Sequence, residues 1–464
     1  MKGMTLDAMA KACHGRLFGA NTLQFLNAQG IVIDSRMVQE DYVFVAIKGE
    51  RTDGHAYIEQ VYADGALAVV TEQPLSVSKP YILVESTRQA LKDLAAFYLS
   101  RLDLKVVGIS GSVGKTSTKE IVSSVLSQKY KVHKTEGNYN NEIGLPLTIF
   151  KISEEHQVAV LEMGISDFDE MHRLASVSRP DIALLTNIGL SHLKTLGSRE
   201  GILKAKTEMF DHLREQAAVI LNGDDDLLST IAKVQGTAPV FYGIGTEKPK
   251  KAVYGSKQIY ASDITNLGLK GIQLKIHIGD ECFATRIPIP GTHNVYNALA
   301  AAAVGRQLGL TNDEIRAGIE TARTIDGRTN LIETGTMTVI DDCYNANPLS
   351  MKASIDVLAT ALGRTVAVLG DMGDLGENER ALHYEVGCHL AAKGIDILFC
   401  AGTLIQELAR AVKEHNPSCD VHVFATRDDM LKELLPFLRQ GDSVLVKASH
   451  FMEFSEVVEE IITM

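Results

Sequence analysis

Val106-Val-Gly-Ile-Ser-Gly-Ser-Val-Gly-Lys-Thr-Ser-Thr-Lys-Glu-Ile-Val-Ser-Ser-Val-Leu126 decides the fold. Its first four residues form an apolar run that reads as a buried strand, and residues 118–126 read as a helix. Between them lie Ser110, Gly111, Ser112, Val113, Gly114, Lys115, Thr116 and Ser117. A strand, a glycine-rich turn and Lys-Thr at a helix start make a phosphate cradle. Backbone N–H groups point inward, the helix N-terminus favours negative charge, Lys115 reaches the outer phosphates and the Thr116 hydroxyl holds Mg²⁺. A full Walker pattern has a glycine five residues before Gly114, where this chain has Ile109. The loop is therefore a shorter Gly-x-x-Gly-Lys-Thr, and an ordinary strand-to-helix turn is the competing reading.

Outward from this loop, strands alternate with helices. Residues 158–161, 182–186 and 218–221 read as buried parallel strands separated by helical segments, the pattern of a doubly wound sheet. Residues 257–290 alternate more and read as an antiparallel excursion, and 297–304 resume a helix. Upstream, residues 31–33, 42–47, 66–70 and 81–84 read as strands and 85–99 as an amphipathic helix. Downstream, a second α/β unit has candidate strands at 337–340, 366–369, 395–399, 421–424 and 443–446. The chain has 464 residues, and at roughly 150 residues per domain three are expected. We place them at 1–103, 104–327 and 328–464, giving an α/β protein with a central, mostly parallel phosphate-loop sheet and a Rossmann-like C-terminal unit.

With 58 acidic and 46 basic residues the net charge is -12, which argues against a general nucleic-acid binder. Six cysteines lie far apart with no Cys-x-x-Cys pair, so a structural zinc site lacks support and reduced, mostly buried thiols in a cytoplasmic protein are expected. The N-terminus lacks the apolar core of a signal peptide, and no apolar run reaches the ~18 residues of a membrane span.

Several residues at predicted strand ends could carry chemistry. Glu162 closes one buried strand, where ligands gather in open α/β sheets; it either holds a metal ion or pairs with a neighbouring cation. His192 follows the next strand and is either a structural histidine or one ligand among oxygens. Lys204 and Lys206 lie on a probable helix, and spacing alone makes them solvated charges, with Lys204 and Glu208 an i,i+4 pair. The loop around Asn140 and Asn141 is dense in Asn and Gly, so it is either a turn cluster or a binder of polar groups. Asp342, Tyr344, Asn345 and Asn347 follow the first strand of the third unit, placed to bind ribose or substrate. Arg328 sits at the domain junction, either reaching phosphates on closure or lying on a hinge surface.

These pieces, in this order, resemble the Mur ligase family, the ATP-dependent amide ligases of peptidoglycan precursor synthesis. The resemblance rests on residues 111–120, 136–146, 291–299, 342–347 and 369–377 and covers nearly the whole chain. It implies that Lys115 cradles the β and γ phosphates, that Thr116 and Glu162 hold one Mg²⁺ and His192 a second, and that Lys206 is carbamylated. It also implies that Asn294 and Asn297 approach adenine, Asp342 the ribose and Arg328 the phosphates. Ser35, Arg36, Lys48 and Gly49 resemble the strip that holds a uridine diphosphate end. The implied reaction is ligation of D-alanyl-D-alanine to UDP-N-acetylmuramoyl-tripeptide by a cytoplasmic monomer. Residues 342–347 and 371–377 are expected to face the cleft. Two departures stand out: Cys343 where the family often has Ser, and Lys447-Ala-Ser-His450 where many members read Lys-Gly-Ser-Arg. The Asp-Asn-Pro-Arg motif of a sister ligase is absent. Alternatives are another acid–amino-acid ligase of the superfamily, such as a folylpolyglutamate synthase, against which the N-terminal unit argues, and a nucleotide-binding regulatory module. The latter loses support because no GTP-type Asn/Thr-Lys-x-Asp motif is present.

Overall fold

The computed structural model describes residues 1–19, 21–244 and 258–464. Three sheets organise these residues. The first has five strands in the spatial order Arg16–Phe18, Tyr81–Leu83, Ala68–Thr71, Tyr42–Val45, Gly30–Val32; only the first pairing is antiparallel. Arg16–Phe18 was not anticipated, because its Arg-Leu-Phe is too short to show a period.

The central sheet has nine strands. Lys105–Ser110 lies between Val158–Glu162 and Ile182–Leu185, all parallel. Val132–Lys134 closes one edge, and Ala218–Asn222 and Val240–Ile244 extend the other. The antiparallel excursion is present as Ile259–Asn266, Ile272–Ile278 and Glu281–Ile287, which run as a meander on the same sheet. Its anticipated first residue, Lys257, lies outside the described residues. The chain leaves Lys105–Ser110 toward one edge and Ile182–Leu185 toward the other, so the loops after these two strands flank the switch point of the sheet. Its faces are covered by separate apolar layers. Helix His293–Gln307, with its run of buried alanines, packs closely on helix Lys115–Leu126 on one side. On the other, the core runs continuously into the first unit through helix Thr87–Ser100, where the Tyr98 hydroxyl donates to the Ile152 carbonyl at 2.5 Å.

The third sheet has the order Asn330–Glu333, Thr338–Asp341, Ser443–Lys447, Thr365–Gly370, Ile397–Ala401, Asp420–Phe424. All neighbours are parallel except the first pair, a hairpin. Asn330–Glu333 is not among the strands expected from the sequence; it is only partly buried and its pairing comes from the hairpin rather than from an apolar period.

Every cysteine is free; Cys13, Cys343, Cys400 and Cys419 are buried, Cys388 is half-buried and Cys282 is exposed. Among the described residues no helix is long and apolar enough to cross a membrane.

Candidate active site

Parallel strands bring their carboxyl ends to one edge. Ile109 is level with Glu162 and Ser110 with Leu185, so the phosphate loop, Glu162 and the segment leading to His192 emerge together. A cleft of about 1450 Å³ opens at this edge, and residues from all three units line it.

The loop needs its glycines. Gly111 has φ +151°, and a Cβ there would lie 1.9 Å from Thr186 Oγ1. Gly114 has φ +79° and is the N-cap of Lys115–Leu126, with no side chain on the first-turn amides. The helix N-terminus therefore faces the cleft with free donors. Thr186 and Asn187 hold the loop from behind. Ser112 N donates to Asn187 O at 3.0 Å, Val113 N to Asn187 Oδ1 at 3.0 Å, and Thr186 Oγ1 to Val113 O at 2.7 Å. These hydrogen bonds tie together the two loops that flank the switch point.

Lys115 Nζ donates to the Gly111 carbonyl at 3.0 Å. Burial pushes its pKa down; Glu162 opposes this and Arg328 adds to it by repulsion. Arg328 stacks over Tyr344, with Cζ 4.2 Å from the ring centroid, and its buried Nε has no partner. Tyr344 in turn lies 5.4 Å from the His450 ring. Lys115, whose charge burial disfavours, and Arg328, with a buried free donor, form a receptor for a polyanion.

Glu162 is 2 % exposed. Its Oε1 accepts from Asn140 Nδ2 at 2.9 Å, while Oε2 is buried without a hydrogen bond. Lys119 approaches Oε2 only to 4.0 Å and is engaged by Thr135 O at 2.6 Å and Glu120 at 3.2 Å. An orphaned carboxylate oxygen in the cleft that Thr116 also lines fits an oxygen-preferring cation. Among the described residues no three His, Cys, Asp or Glu side chains gather as a complete metal cage, so bound phosphates would have to finish the shell.

His192 lines the cleft at φ +61°, its pKa lowered by burial and then by Lys115 and Lys206. Lys206 is 1 % exposed and lies behind the cleft lining. That overturns the spacing-based reading of a solvated charge. Burial, then repulsion from Lys115, drives its pKa well below the ordinary lysine value.

The remaining residues divide by position. Asn140, Asn141, Tyr344, Asn345 and Asn347 line the cleft, as do Ser112, Val113, Gly114, Thr116, Ser117 and Asn297. Asn294 sits behind Asn297, accepting from its Nδ2 at 2.9 Å and donating to Pro290 O at 2.8 Å. Asp342 lines the cleft with both oxygens engaged: Oδ1 accepts from Thr329 N at 3.0 Å, and Oδ2 from Ser354 Oγ and from Lys447 Nζ at 2.7 Å. Asn347 caps helix Pro348–Leu358, and its Nδ2 reaches Ser191 Oγ in the central unit at 3.4 Å. Gly373, Asp374 and Leu375 face the cleft, but Asp371 turns away to the amides of Thr403 and Ile405. Ser35, Arg36, Lys48 and Gly49 lie outside the lining; Arg36 is exposed and forked onto Asp34 at 2.9 and 2.6 Å. Arg88 links this strip to the cleft, since it lines the cleft and donates to Lys48 O at 3.3 Å. Arg88, Tyr242 and Tyr296 carried no separate signal in the sequence, being an amphipathic-helix arginine and two ordinary aromatics.

The Asp342–Lys447 pair is buried, and removing one partner strands the other. Asp342→Asn is expected to cost about 3 kcal/mol, read by urea denaturation; a midpoint within error of the parent would show that the pair contributes nothing to stability.

Sequence comparisons agree with this architecture. Residues 27–99 match the Mur ligase family, catalytic domain model, 109–305 the Mur ligase middle domain and 327–450 the Mur ligase glutamate ligase domain. The UDP-N-acetylmuramoyl-tripeptide–D-alanyl-D-alanine ligase of Bacillus subtilis is 37 % identical over 442 residues, 93 % of each chain.

The chain belongs to the Mur ligase family.

Solved structures of Mur ligases superpose along its length. MurF from Acinetobacter baumannii gives a TM-score of 0.88 at 31 % identity over 99 % of both chains. MurF ligase from Thermotoga maritima, in complex with ADP, gives 0.82 at 30 % identity over 94 % of this chain and 97 % of that one.

Proposed function

We infer that this Mur ligase joins D-alanyl-D-alanine to UDP-N-acetylmuramoyl-tripeptide with cleavage of ATP to ADP and phosphate. The observation that carries the reading is one shared cleft in which a phosphate loop with Lys115 and Arg328 faces residues 342, 344–347 and 373–375 of the third unit. Near-full-length similarity to ligases of that name supports the substrate pair. Amide formation from a carboxylate needs activation, because the carboxylate is a poor electrophile. Its oxygen attacks the γ-phosphorus of ATP, the bond to the β-phosphate oxygen breaks, and an acyl phosphate results. The amine then attacks the acyl carbon, phosphate leaves with its bonding pair, and the amine proton passes to solvent. Lys115 and Arg328 hold the transferring charge, and closure of the third unit keeps water from the acyl phosphate.

Glu162 and Thr116 would hold one Mg²⁺, and His192 would contribute to a second. Such an ion neutralises phosphate charge. The Lys206 amine would be carbamylated, placing an anion behind the metal edge. Ser110 and Gly111 shape the loop, Asn297 borders the base and Asn294 supports it, while Asp342 and Lys447 fix the strand ends near the ribose. Residues 1–103 would present the uridine diphosphate end along Ser35, Arg36, Lys48 and Gly49, residues 104–327 the ATP, and residues 328–464 the dipeptide. The enzyme would act as a cytoplasmic monomer.

The test is phosphate release with ATP and each substrate alone and together, with the product weighed by mass spectrometry. Release that requires both substrates is expected; turnover indifferent to D-alanyl-D-alanine rejects the reading. The division of labour predicts that Arg36→Ala raises KM for the UDP-linked substrate and leaves that of the dipeptide within about twofold. Asn347→Asp keeps a helix-capping oxygen and should alter the dipeptide KM or kcat instead. If Arg36→Ala raises only the dipeptide KM, the assignment of units is wrong.

A further inference from the structure

We propose that His383, which touches no substrate, is a positioning residue that holds the cleft-facing loop 371–375 in its binding conformation through one hydrogen bond at Nε2. The proposal rests on the reading that the third unit binds the dipeptide.

His383 lies on helix Glu379–Lys393 and is fully buried. Its Nδ1 is 2.7 Å from the Glu379 carbonyl, an acceptor only, so Nδ1 carries the hydrogen. Nε2 is 2.9 Å from the Met372 amide, a donor only, so Nε2 must present a lone pair. One neutral tautomer satisfies both contacts. Burial favours the neutral ring, pushing the pKa below the ordinary histidine value against the raising effects of the Glu379 carbonyl and of Asp371, Glu379 and Glu407.

The segment so held is the one that completes the cleft. Strand Thr365–Gly370 ends beneath it. Asp371 is pinned by the amides of Thr403 and Ile405, and Gly373 N donates to Ser449 Oγ at 2.8 Å. Met372 is fully buried between these two anchors, and its amide has His383 as acceptor. Beyond it, Gly373, Asp374 and Leu375 face the cleft, Asp374 at φ +59°. The short helix Gly376–Asn378 then packs on Leu193–Leu196, the helix that His192 begins in the central unit. A slip at Met372 would therefore move the third-unit wall of the cleft and its contact with the central unit together.

The test separates the hydrogen bond from the bulk of the ring. His383→Gln retains an acceptor where Nε2 lies, while His383→Met fills similar volume with no comparable acceptor. Steady-state kinetics should give His383→Gln a dipeptide KM within about threefold of the parent. His383→Met should raise it tenfold or more, with KM for ATP within about twofold. Equal dipeptide KM values for the two variants, or equal rises for ATP and dipeptide, would overturn the proposal. Should the Met variant not fold, His383→Asn replaces it. It can keep the bond to Glu379 and loses the one to Met372, and the same criteria apply. Parent enzyme lacking any dipeptide-dependent turnover would instead reject the functional reading itself, and with it the substrate named here.

Discussion

Lys115→Ala is expected to abolish ADP formation in a protein that remains folded. The side chain contributes one hydrogen bond to the fold, to Gly111 O, and its burial disfavours its own charge. Removing it costs the native state little and relieves a desolvated cation. In the proposed reaction it is one of two cations, with Arg328, that would hold the transferring charge. Loss of such a group raises the barrier by about 3 kcal/mol or more, roughly a hundredfold or more in kcat. Circular dichroism and a thermal melt check the fold, and coupled ADP release checks the rate. Near-normal turnover by a folded variant would remove the phosphate-cradle reading.

Lys206 should show the opposite signs for activity and stability. Its side chain is buried, and its pKa in the folded chain is depressed well below the unfolded value. Between those two pKa values the unfolded chain binds the extra proton, so stability rises with pH across that window and the penalty is greatest below it. In carbonate-free buffer Lys206→Met is therefore expected to melt above the parent at pH 6, with the gap closing as pH approaches 10.5, the ordinary lysine value. A buried amine whose charge burial and Lys115 both disfavour is also suited to capture carbon dioxide, since the carbamate anion would answer the Lys115 charge. Lys206→Ala should then lose activity by about a hundredfold, high bicarbonate should restore none of it, and acetate should restore a little. Full activity in the alanine variant would leave Lys206 a packing residue only, and an unchanged melting curve for Lys206→Met would contradict the desolvation argument.

Both predictions join a residue legible in the sequence to an environment that was not. Gly111, Gly114, Lys115 and Thr116 are contiguous, and a strand–turn–helix unit places them by local geometry alone. The parallel strands were equally legible, because segments such as Val158–Glu162 and Ser443–Lys447 are buried throughout and read as short, continuous apolar runs. Strands without that composition escaped, among them Arg16–Phe18 and Asn330–Glu333, whose pairing depends on a neighbour.

Residue types at strand ends announced the site, but not which atoms remain free in it. Asp342 and Glu162 read alike as strand-end carboxylates, yet Lys447, Thr329 and Ser354 are found on the oxygens of Asp342 while Glu162 keeps one oxygen unclaimed. Asn294 and Asn297 are three apart on one helix, yet only Asn297 reaches the cleft. The physical reason is range. Backbone conformation and apolar period are set by neighbours a few residues away, so the sequence alone determined three α/β units and a phosphate loop. Burial of Lys206, the Arg328–Tyr344 stack and the His383–Met372 bond depend on contacts between separate elements, and only the tertiary structure decided them.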